Sequence, residues 1–278
     1  MKTQMEKAAG FRELHQGTKA FVIPNPWDLG SARLLAGLGF QALATSSAGA
    51  AFAMGMRDGA LGREAMLQHI AAVAAATDLP VSADLENGFG DAPEFAAETI
   101  RMAAEAGACG GSIEDARGED ATARTDEPIY ARELAVERVR AAVEAAKSLA
   151  FPFTLTARCE NFLHGRNDLA DTIARLQAYQ EAGADVLYAP GITTREEIES
   201  LVQSVDRPVN VLVGLKGMDL TVAQATGLGV RRLSVGSGLA RAAYGTLLRA
   251  AREISEHGTF NFGDDVSGLS ELCRLFPT

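Results

Sequence analysis

The chain has 278 residues, of which 47% are hydrophobic and 22% are charged, and its formal net charge at pH 7 is −10. This length suits one large barrel or two smaller domains, and the acidic balance argues against nucleic acid or an anionic membrane as a partner. No apolar run is long enough to span a bilayer, and residues 1–17 lack the apolar core of a signal peptide, so we expect a cytoplasmic protein.

Strand and helix alternate along the whole chain. Eight apolar segments are predicted strands, and Ala-rich segments separate them; Leu169, Ile173, Leu176 and Tyr179 illustrate the helical spacing of the latter. Eight strand–helix units in roughly 250 residues predict an α/β fold, a single (β/α)8 TIM barrel within one domain, residues 1–278. The predicted strands are AFVIPNP, FQALATSS, LPVSADLE, GGSIED, FPFTLTARCE, ADVLYAPG, RPVNVLVG and VRRLSVGSG.

A doubly wound open sheet is the alternative architecture. Such a sheet usually carries a nucleotide-binding loop after its first strand, and NPWDLGSA (25–32) does not match GxGxxG.

Two segments fall outside the repeating pattern. Residues 116–129 are polar and interrupted by proline, which is typical of a lid loop. The tail, about 258–278, is expected to pack on the barrel or on a neighbouring subunit through Phe260, Phe262, Leu269, Leu272 and Leu275.

The carboxyl ends of the strands are where barrels of this type carry their chemistry. Asp84 and Glu86, two residues apart in DLENGFG, point to the same face of the third strand. Acids also follow the fourth and fifth strands. We therefore expect one cavity lined by Asn25, Trp27, Asp28, Thr45, Ser46, Ser47, Asp84, Glu86, Glu114, Asp115, Arg158, Glu160, Tyr188, Asn210 and residues 234–238.

Several carboxylates that converge on one cavity would repel each other, and a divalent cation relieves that repulsion. Ligand sets made only of oxygen favour Mg²⁺ or Mn²⁺ over Zn²⁺. We predict that Asp84 binds the ion directly and that Glu86 and Glu114 bind it through water. The alternative is that these three acids form ion pairs with Arg158 and simply fill the barrel, although one arginine does not balance so many acids.

The four histidines are weak metal-ligand candidates. His15, His69 and His257 are predicted at the surface, whereas His164 follows the fifth strand and is either a proton donor or a solvated loop residue.

The three cysteines, Cys109, Cys159 and Cys273, lack CxxC spacing and are predicted to be reduced packing residues, with Cys159 facing the helices. Gly-rich segments at 214–217 and 236–238 offer a rival interpretation, a phosphate-binding site, because the loops after the seventh and eighth strands hold phosphate in many barrels.

The chain resembles the isocitrate lyase/phosphoenolpyruvate mutase superfamily. The resemblance rests on NPWDLGSARL, TSSAGAAFAMGMRDG, DLENGFG, SIED and TARCENFLHG, which occur in the family's order. The family motif Asp-x-Asp-x-Gly-Tyr-Gly is varied here at Glu86 and Phe89. The resemblance implies a (β/α)8 barrel whose last helix swaps to a neighbouring subunit, in a homotetramer built as a dimer of dimers. It also implies a Mg²⁺ enzyme that breaks or makes the bond to C3 of a 2-oxo acid through an enolate.

The resemblance also assigns roles to single residues. Asp84 resembles the direct metal ligand, and Glu86 and Glu114 resemble the water-mediated ligands. Arg158 resembles the substrate-binding arginine, and Asp58 resembles an acid near the metal. Ser46, Ser47 and Ala48 resemble the loop that binds the substrate carboxylate. We expect catalytic roles for Asp58, Glu114 and Arg158, and substrate contacts from Arg158, Glu160, Tyr188 and Asn210.

The segment 116–129 departs from the family. It lacks the Lys-Lys-Cys-Gly-His-type lid whose cysteine donates a proton in isocitrate and methylisocitrate lyases. It also lacks the Lys and Asn of the mutases and phosphonopyruvate hydrolases, and offers Arg117, Thr122, Arg124 and Thr125 instead. We therefore predict a Mg²⁺-dependent lyase that cleaves a C–C bond in, or decarboxylates, a small 2-oxo or 2-hydroxy dicarboxylic acid. The alternatives are a C–P bond mutase or hydrolase and a catalytically weak 2-oxo-acid-binding protein.

Overall fold

Eight short parallel strands form one sheet, and each lies inside one of the eight predicted segments. The computed structural model describes residues 2–117 and 128–276. The strands are β1 (Phe21–Ile23), β2 (Leu43–Ala44), β3 (Val81–Asp84), β4 (Gly110–Glu114), β5 (Thr154–Arg158), β6 (Val186–Tyr188), β7 (Val209–Leu212) and β8 (Arg232–Ser234).

The sheet curls into a nearly closed barrel. Its strand order is β1-β8-β7-β6-β5-β4-β3-β2, so the first strand pairs with the last. A backbone hydrogen bond of 3.1 Å from Ala44 N to Pro24 O links β2 to the end of β1. The predicted (β/α)8 architecture is therefore confirmed, and the doubly wound alternative is wrong.

Helices connect the strands and cover the outside of the barrel. They are α1 (Gln4–Gln16), α2 (Leu29–Gly37), α3 (Ser47–Ala53), α4 (Arg63–Ala75), α5 (Pro93–Glu105), α6 (Arg132–Lys147), α7 (Leu169–Ala182), α8 (Arg195–Gln203), α9 (Val222–Gly227), α10 (Gly238–His257) and α11 (Leu269–Leu275), with a 3₁₀ turn at Asn261–Asp265. In the described ranges, no helix is long and apolar enough to cross a membrane.

Helix α1 packs on the amino-terminal ends of the strands. Phe11 is fully buried, and the His15 ring meets Phe11 and Phe21 edge-on, with centroid distances of 4.8 and 5.0 Å. His15 and His69 are only 6% and 8% exposed, so their predicted surface positions are wrong. Each lies on the apolar face of its helix, where the neighbouring aliphatic and aromatic residues bury it.

Helix α10 and the tail stand apart from the core. Of the twenty residues of α10, only Ala240 is buried. In the tail, α11 contacts α2, but Phe260 and Leu269 are 68% and 79% exposed. These two residues therefore do not pack on their own barrel, and the other predicted alternative, packing on a neighbouring subunit, stays a prediction. Cys273 is also exposed and is not the packing residue that we predicted.

Candidate active site

The carboxyl ends of the strands enclose a cavity of about 250 Å³. Most of the side chains predicted from the strand ends line it, and His164 joins them from the loop after β5. The predicted residues found there are Asn25, Thr45, Ser46, Ser47, Ala48, Asp58, Asp84, Glu86, Glu114, Arg158, Glu160, His164, Tyr188, Asn210, Ser234, Gly236 and Ser237.

Five predicted residues are not among those that line the cavity: Val235 and Gly238 after β8, and three residues that lie elsewhere in the fold. Asp28 is the N-cap of α2, where Oδ1 accepts a hydrogen bond of 2.7 Å from the Ser31 amide, and Trp27 precedes it. Asp115 is buried away from the cavity and accepts hydrogen bonds of 2.6 Å from the Tyr179 hydroxyl and 3.1 Å from Arg175. It follows Glu114 directly, and neighbouring residues of a strand face opposite sides. The predicted cavity positions of Trp27, Asp28 and Asp115 are therefore wrong.

Asp84 is held firmly at the end of β3. Its Oδ2 accepts hydrogen bonds of 3.0 Å from the Ser47 amide and 2.9 Å from the Ser47 hydroxyl. Its own amide donates to Thr45 Oγ1 at 2.8 Å. Its Oδ1 is buried and accepts no hydrogen bond from the described residues, although Arg158 Nη1 lies 3.5 Å away. One oxygen of this carboxylate is therefore oriented by the fold, and the other is available to a ligand.

Arg158 lies among three carboxylates. Its Nη1 is 3.0 Å from Glu114 Oε2 and 3.5 Å from Asp84 Oδ1. Its Nε and Nη2 donate to the two oxygens of Glu160, the latter at 3.2 Å, and its guanidinium lies 5.4 Å from the Tyr188 ring centroid. Two of the ion pairs of the alternative interpretation, those with Asp84 and Glu114, therefore form, and the third acid that shares the guanidinium is Glu160.

Burial dominates the electrostatics of this cluster. It raises the pKa of Glu114 well above its usual range, and the other nearby carboxylates add to the rise while Arg158 opposes it. Burial also raises the pKa of Glu160. The raised carboxyl pKa means that burial and the neighbouring carboxylates disfavour the charged form of Glu114 more than Arg158 favours it.

The cluster fits a hard divalent cation. The Asp84 Oδ1 atom is a buried oxygen that accepts no hydrogen bond from residues 2–117 and 128–276, and the oxygen donors around it suit Mg²⁺ or Mn²⁺. No group of three or more His, Cys, Asp or Glu side chains within residues 2–117 and 128–276 forms a ready-made metal cage. Mg²⁺ does not require one, since it usually retains several waters. This geometry is compatible with one direct ligand, Asp84, and water-mediated contacts to Glu86 and Glu114.

A strained loop carries Glu86. Glu86 and Phe89 adopt left-handed backbone conformations, with φ of 48° and 62°, which cost of order 1 kcal/mol each for residues with a side chain. The buried guanidinium of Arg138, on α6, donates to the backbone oxygens of Asn87, Gly90 and Asp91. These hydrogen bonds hold the loop in its strained shape and so fix the position of Glu86.

Arg232, on the deep side of the cavity, was not predicted from the sequence. Its Nε donates a hydrogen bond of 2.9 Å to Asn210 Oδ1, and the Asn210 amide donates one of 2.9 Å to Ser234 Oγ. Arg232 begins β8 and also lines the cavity. The alternation of Arg232 and Ser234 along the strand was the available signal, because residues two apart share a face. Arg232 precedes the end of its strand, whereas the predicted cavity residues were those at or beyond the strand ends.

The loops before α3 and after β8 also border the cavity. Ser46 is the N-cap of α3, and its hydroxyl accepts a hydrogen bond of 3.2 Å from the Gly49 amide. Gly236 and Ser237 line the cavity, whereas residues 214–217 are not among its lining residues. Of the two Gly-rich segments in the rival phosphate-site prediction, only the one after β8 therefore borders the cavity.

Part of the predicted lid lies outside the described residues, including Thr122, Arg124 and Thr125. Arg117 lines the cavity, and its guanidinium lies 5.0 Å from the Tyr130 ring centroid.

Burial lowers the pKa of His164, which favours its neutral form. Cys159 is fully buried in the hydrophobic core, as predicted for a packing residue.

The comparisons with known proteins agree on one family. The family model described as phosphoenolpyruvate phosphomutase matches residues 11–255. A solved structure of a candidate lyase/mutase from Burkholderia cenocepacia J2315 superposes with a TM-score of 0.93 at 60% identity, over 99% of this chain and 97% of that one.

Two curated relatives extend this result. An uncharacterized protein of Mycobacterium tuberculosis is 31% identical over 247 residues, which cover 88% of this chain and 89% of the relative. The 2,3-dimethylmalate lyase of Eubacterium barkeri is 28% identical over 204 residues, which cover 72% of this chain and 69% of that enzyme.

Proposed function

The chain belongs to the phosphoenolpyruvate phosphomutase family, within the superfamily of isocitrate lyase and phosphoenolpyruvate mutase, and on that premise we propose that it is a Mg²⁺-dependent lyase. Its substrate is a small 2-oxo or 2-hydroxy dicarboxylic acid. The enzyme cleaves a C–C bond of this acid or decarboxylates it, and the reaction passes through an enolate. The dimethylmalate lyase among its relatives supports this substrate class, since dimethylmalate is a 2-hydroxy dicarboxylic acid.

The observation that carries the proposal is the Asp84 carboxylate. One of its oxygens is fixed by Ser47, and the other is buried in the cavity and accepts no hydrogen bond within the part of the chain that the structure describes. Asp84 would hold the ion directly, with Glu86 and Glu114 reaching it through water. When bound, the ion supplies positive charge next to the oxygen on which the enolate charge develops.

The chain's own residues would orient the substrate. The guanidinium of Arg158 is held by its hydrogen bonds to Glu160 and lies near the Tyr188 ring. Its N–H groups that do not bond Glu160 would therefore donate to a substrate oxygen in a defined direction. Burial raises the pKa of Tyr188 to about 12, so its phenol keeps its proton at neutral pH and serves as a hydrogen-bond donor. The same cavity is lined by Ser46, Ser47, Ala48 and Asp58.

A C–P bond mutase or hydrolase is the second candidate, because the matching family model is described as a phosphomutase. Gly236 and Ser237 border the cavity and support it. The absence of the mutase lid residues from the sequence favours the lyase.

The two candidates differ in their products. Purified protein with Mg²⁺ would be incubated separately with oxaloacetate, 2,3-dimethylmalate and phosphonopyruvate, and the formation of pyruvate, phosphoenolpyruvate and inorganic phosphate would be measured. Pyruvate formed from either dicarboxylic acid faster than in the same Mg²⁺ solution without protein supports the lyase. If neither dicarboxylic acid is cleaved, phosphoenolpyruvate formed from phosphonopyruvate would replace the lyase with a C–P mutase, and pyruvate released together with inorganic phosphate would replace it with a C–P hydrolase. Magnesium-dependent binding of these acids without any product would indicate a catalytically weak binding protein.

A further inference from the structure

Arg232 is a buried cation without an acidic partner in the described part of the chain. It is 5% exposed and lines the cavity. Its Nε donates to Asn210 Oδ1 at 2.9 Å and its Nη2 donates to Thr156 Oγ1 at 3.1 Å. Its Nη1 lies 3.5 Å from His15 Nε2. All three contacts are with neutral groups, so the positive charge itself is not compensated.

His15 contributes no charge to this cluster. Burial lowers its pKa to about 3, so the ring is neutral at physiological pH. Its Nδ1 lies 2.9 Å from the Phe11 backbone oxygen, which only accepts, so this nitrogen carries the proton and Nε2 is left as an acceptor for Arg232. Arg232 also remains charged, because burial lowers its pKa only to about 10.

The other arginines buried near the site have filled roles. Arg158 is shared among three carboxylates. Arg175 pairs with Asp115 and Asp171, and Arg138 is used by backbone oxygens of the β3 loop. Arg232 alone among these four combines a cavity position with an unneutralised charge. Keeping such a charge in a buried position costs free energy, which a bound anion would recover.

The position of Arg232 defines which part of a ligand it would meet. It begins β8, and Ser234 ends that strand two residues later on the same face. At the rise of a β-strand, Arg232 therefore originates about 7 Å deeper in the barrel than the strand end. Asp84 and the carboxylate cluster lie at the strand ends, so the cavity has acids at its mouth and a cation at its floor.

We propose that Arg232 forms an anion-binding subsite at the floor of the cavity and takes the second carboxylate of a dicarboxylic substrate. The subsite rests on the proposed function, which places the 2-oxo or 2-hydroxy end of the same molecule near Asp84. It selects dicarboxylic acids over monocarboxylic acids of equal length. A purely structural Arg232, which ties α1, β5 and β7 to β8, would give no such selection.

The test compares matched pairs of acids. Calorimetry with Mg²⁺ would measure the binding of malate against 2-hydroxybutanoate, and of 2-oxoglutarate against 2-oxopentanoate. We expect the wild-type protein to prefer the dicarboxylic acid by about 30-fold in at least one pair, as for a charge-assisted hydrogen bond. In Arg232→Met the preference should fall to near one. The matched control is Arg175→Met, which removes an equally buried arginine outside the cavity and should keep the wild-type preference.

Each outcome decides the proposal. A wild-type preference near one in both pairs overturns it without any variant, and so does a preference that survives in Arg232→Met. If Arg232→Met does not fold, Arg232→Lys, which keeps the charge but loses the forked donors, should retain only part of the preference; an unchanged preference contradicts the subsite. If the wild-type protein binds none of the four acids, the proposed function fails and the subsite fails with it.

Discussion

Arg158 has more acidic neighbours than one guanidinium can neutralise. Asp84, Glu114 and Glu160 all lie within ion-pair distance, and their side chains and that of Arg158 are at most 18% exposed. In such a cluster the loss of the cation leaves several charges buried together. Arg158 is therefore expected to support both the fold and the substrate.

The substitution Arg158→Met tests this double role. We expect it to lower the free energy of unfolding by about 3 kcal/mol, because the remaining carboxylates lose the cation that they share. The measurement is urea unfolding at pH 7.5. Arg63→Met is the control, since it removes an exposed pair with Glu98 and should cost less than about 1 kcal/mol. Equal losses in the two variants would contradict a special role for Arg158.

Single residues were predictable where strand ends alone decide their position. Asp84, Glu114 and Arg158 reach the cavity because parallel strands of a barrel end at the same rim. Asp28 and Asp115 could not be placed by that rule, because a helix cap and the opposite strand face compete for residues next to a strand. Arg232 was missed because it precedes its strand end, although its alternation with Ser234 was visible.

At the scale of elements, α1 joins the bottom of the barrel to the site. His15 packs between Phe11 and Phe21 and contacts Arg232, which lines the cavity. The fold buries this histidine in its neutral form, and burial lowers its pKa to about 3. The unfolded chain takes up a proton near pH 6.5, whereas the folded chain does not. Stability due to His15 is therefore fully present above pH 6.5 and is lost as the pH falls toward 3.

The substitution His15→Phe should remove this pH dependence. Between pH 6 and pH 4, the wild-type free energy of unfolding should fall more steeply than that of the variant, by about 1.4 kcal/mol per pH unit. Guanidinium unfolding at several pH values measures both slopes. His257→Gln, at the exposed end of α10, should keep the wild-type slope. Parallel slopes for the wild-type protein and His15→Phe would show that His15 is not held neutral.

The elements themselves were predictable from alternation and turn chemistry, and all eight strands lie where expected. Their lengths were not, since β2 has only two residues and β5 has five. The strained loop after β3 could not be foreseen either. Its shape depends on Arg138, which is distant in sequence and binds the loop through backbone oxygens rather than through a recognisable motif.

At the scale of the whole molecule, α10 is incompletely buried. Leu247 and Leu248 are 60% and 53% exposed on a helix with only one buried residue. Exposed apolar surface of this kind is typical of a subunit interface. We propose that α10 and the tail pack on a neighbouring chain in a homotetramer, as the family resemblance implies.

A double substitution tests this assembly. The wild-type protein should elute with four times the chain mass of 29.2 kDa, and Leu247→Glu/Leu248→Glu should elute as a smaller species because charge is costly at an apolar interface. Light scattering after size-exclusion chromatography measures both masses. Leu38→Glu, at an exposed position beyond α2, is the control and should keep the wild-type mass. A monomeric wild-type protein, or an unchanged mass in the double variant, would rule out this interface.

The central claim is that Asp84 organises a metal-dependent enolate site. The most direct test is the rate of pyruvate release from oxaloacetate with Mg²⁺, compared between the wild-type protein and Asp84→Ala. The variant is essential, because free divalent ions decarboxylate oxaloacetate unaided. We predict a wild-type rate at least about 100-fold above that of the variant, and equal rates for the two proteins when the ion is chelated in both. Equal rates for the two proteins would contradict decarboxylation at this site.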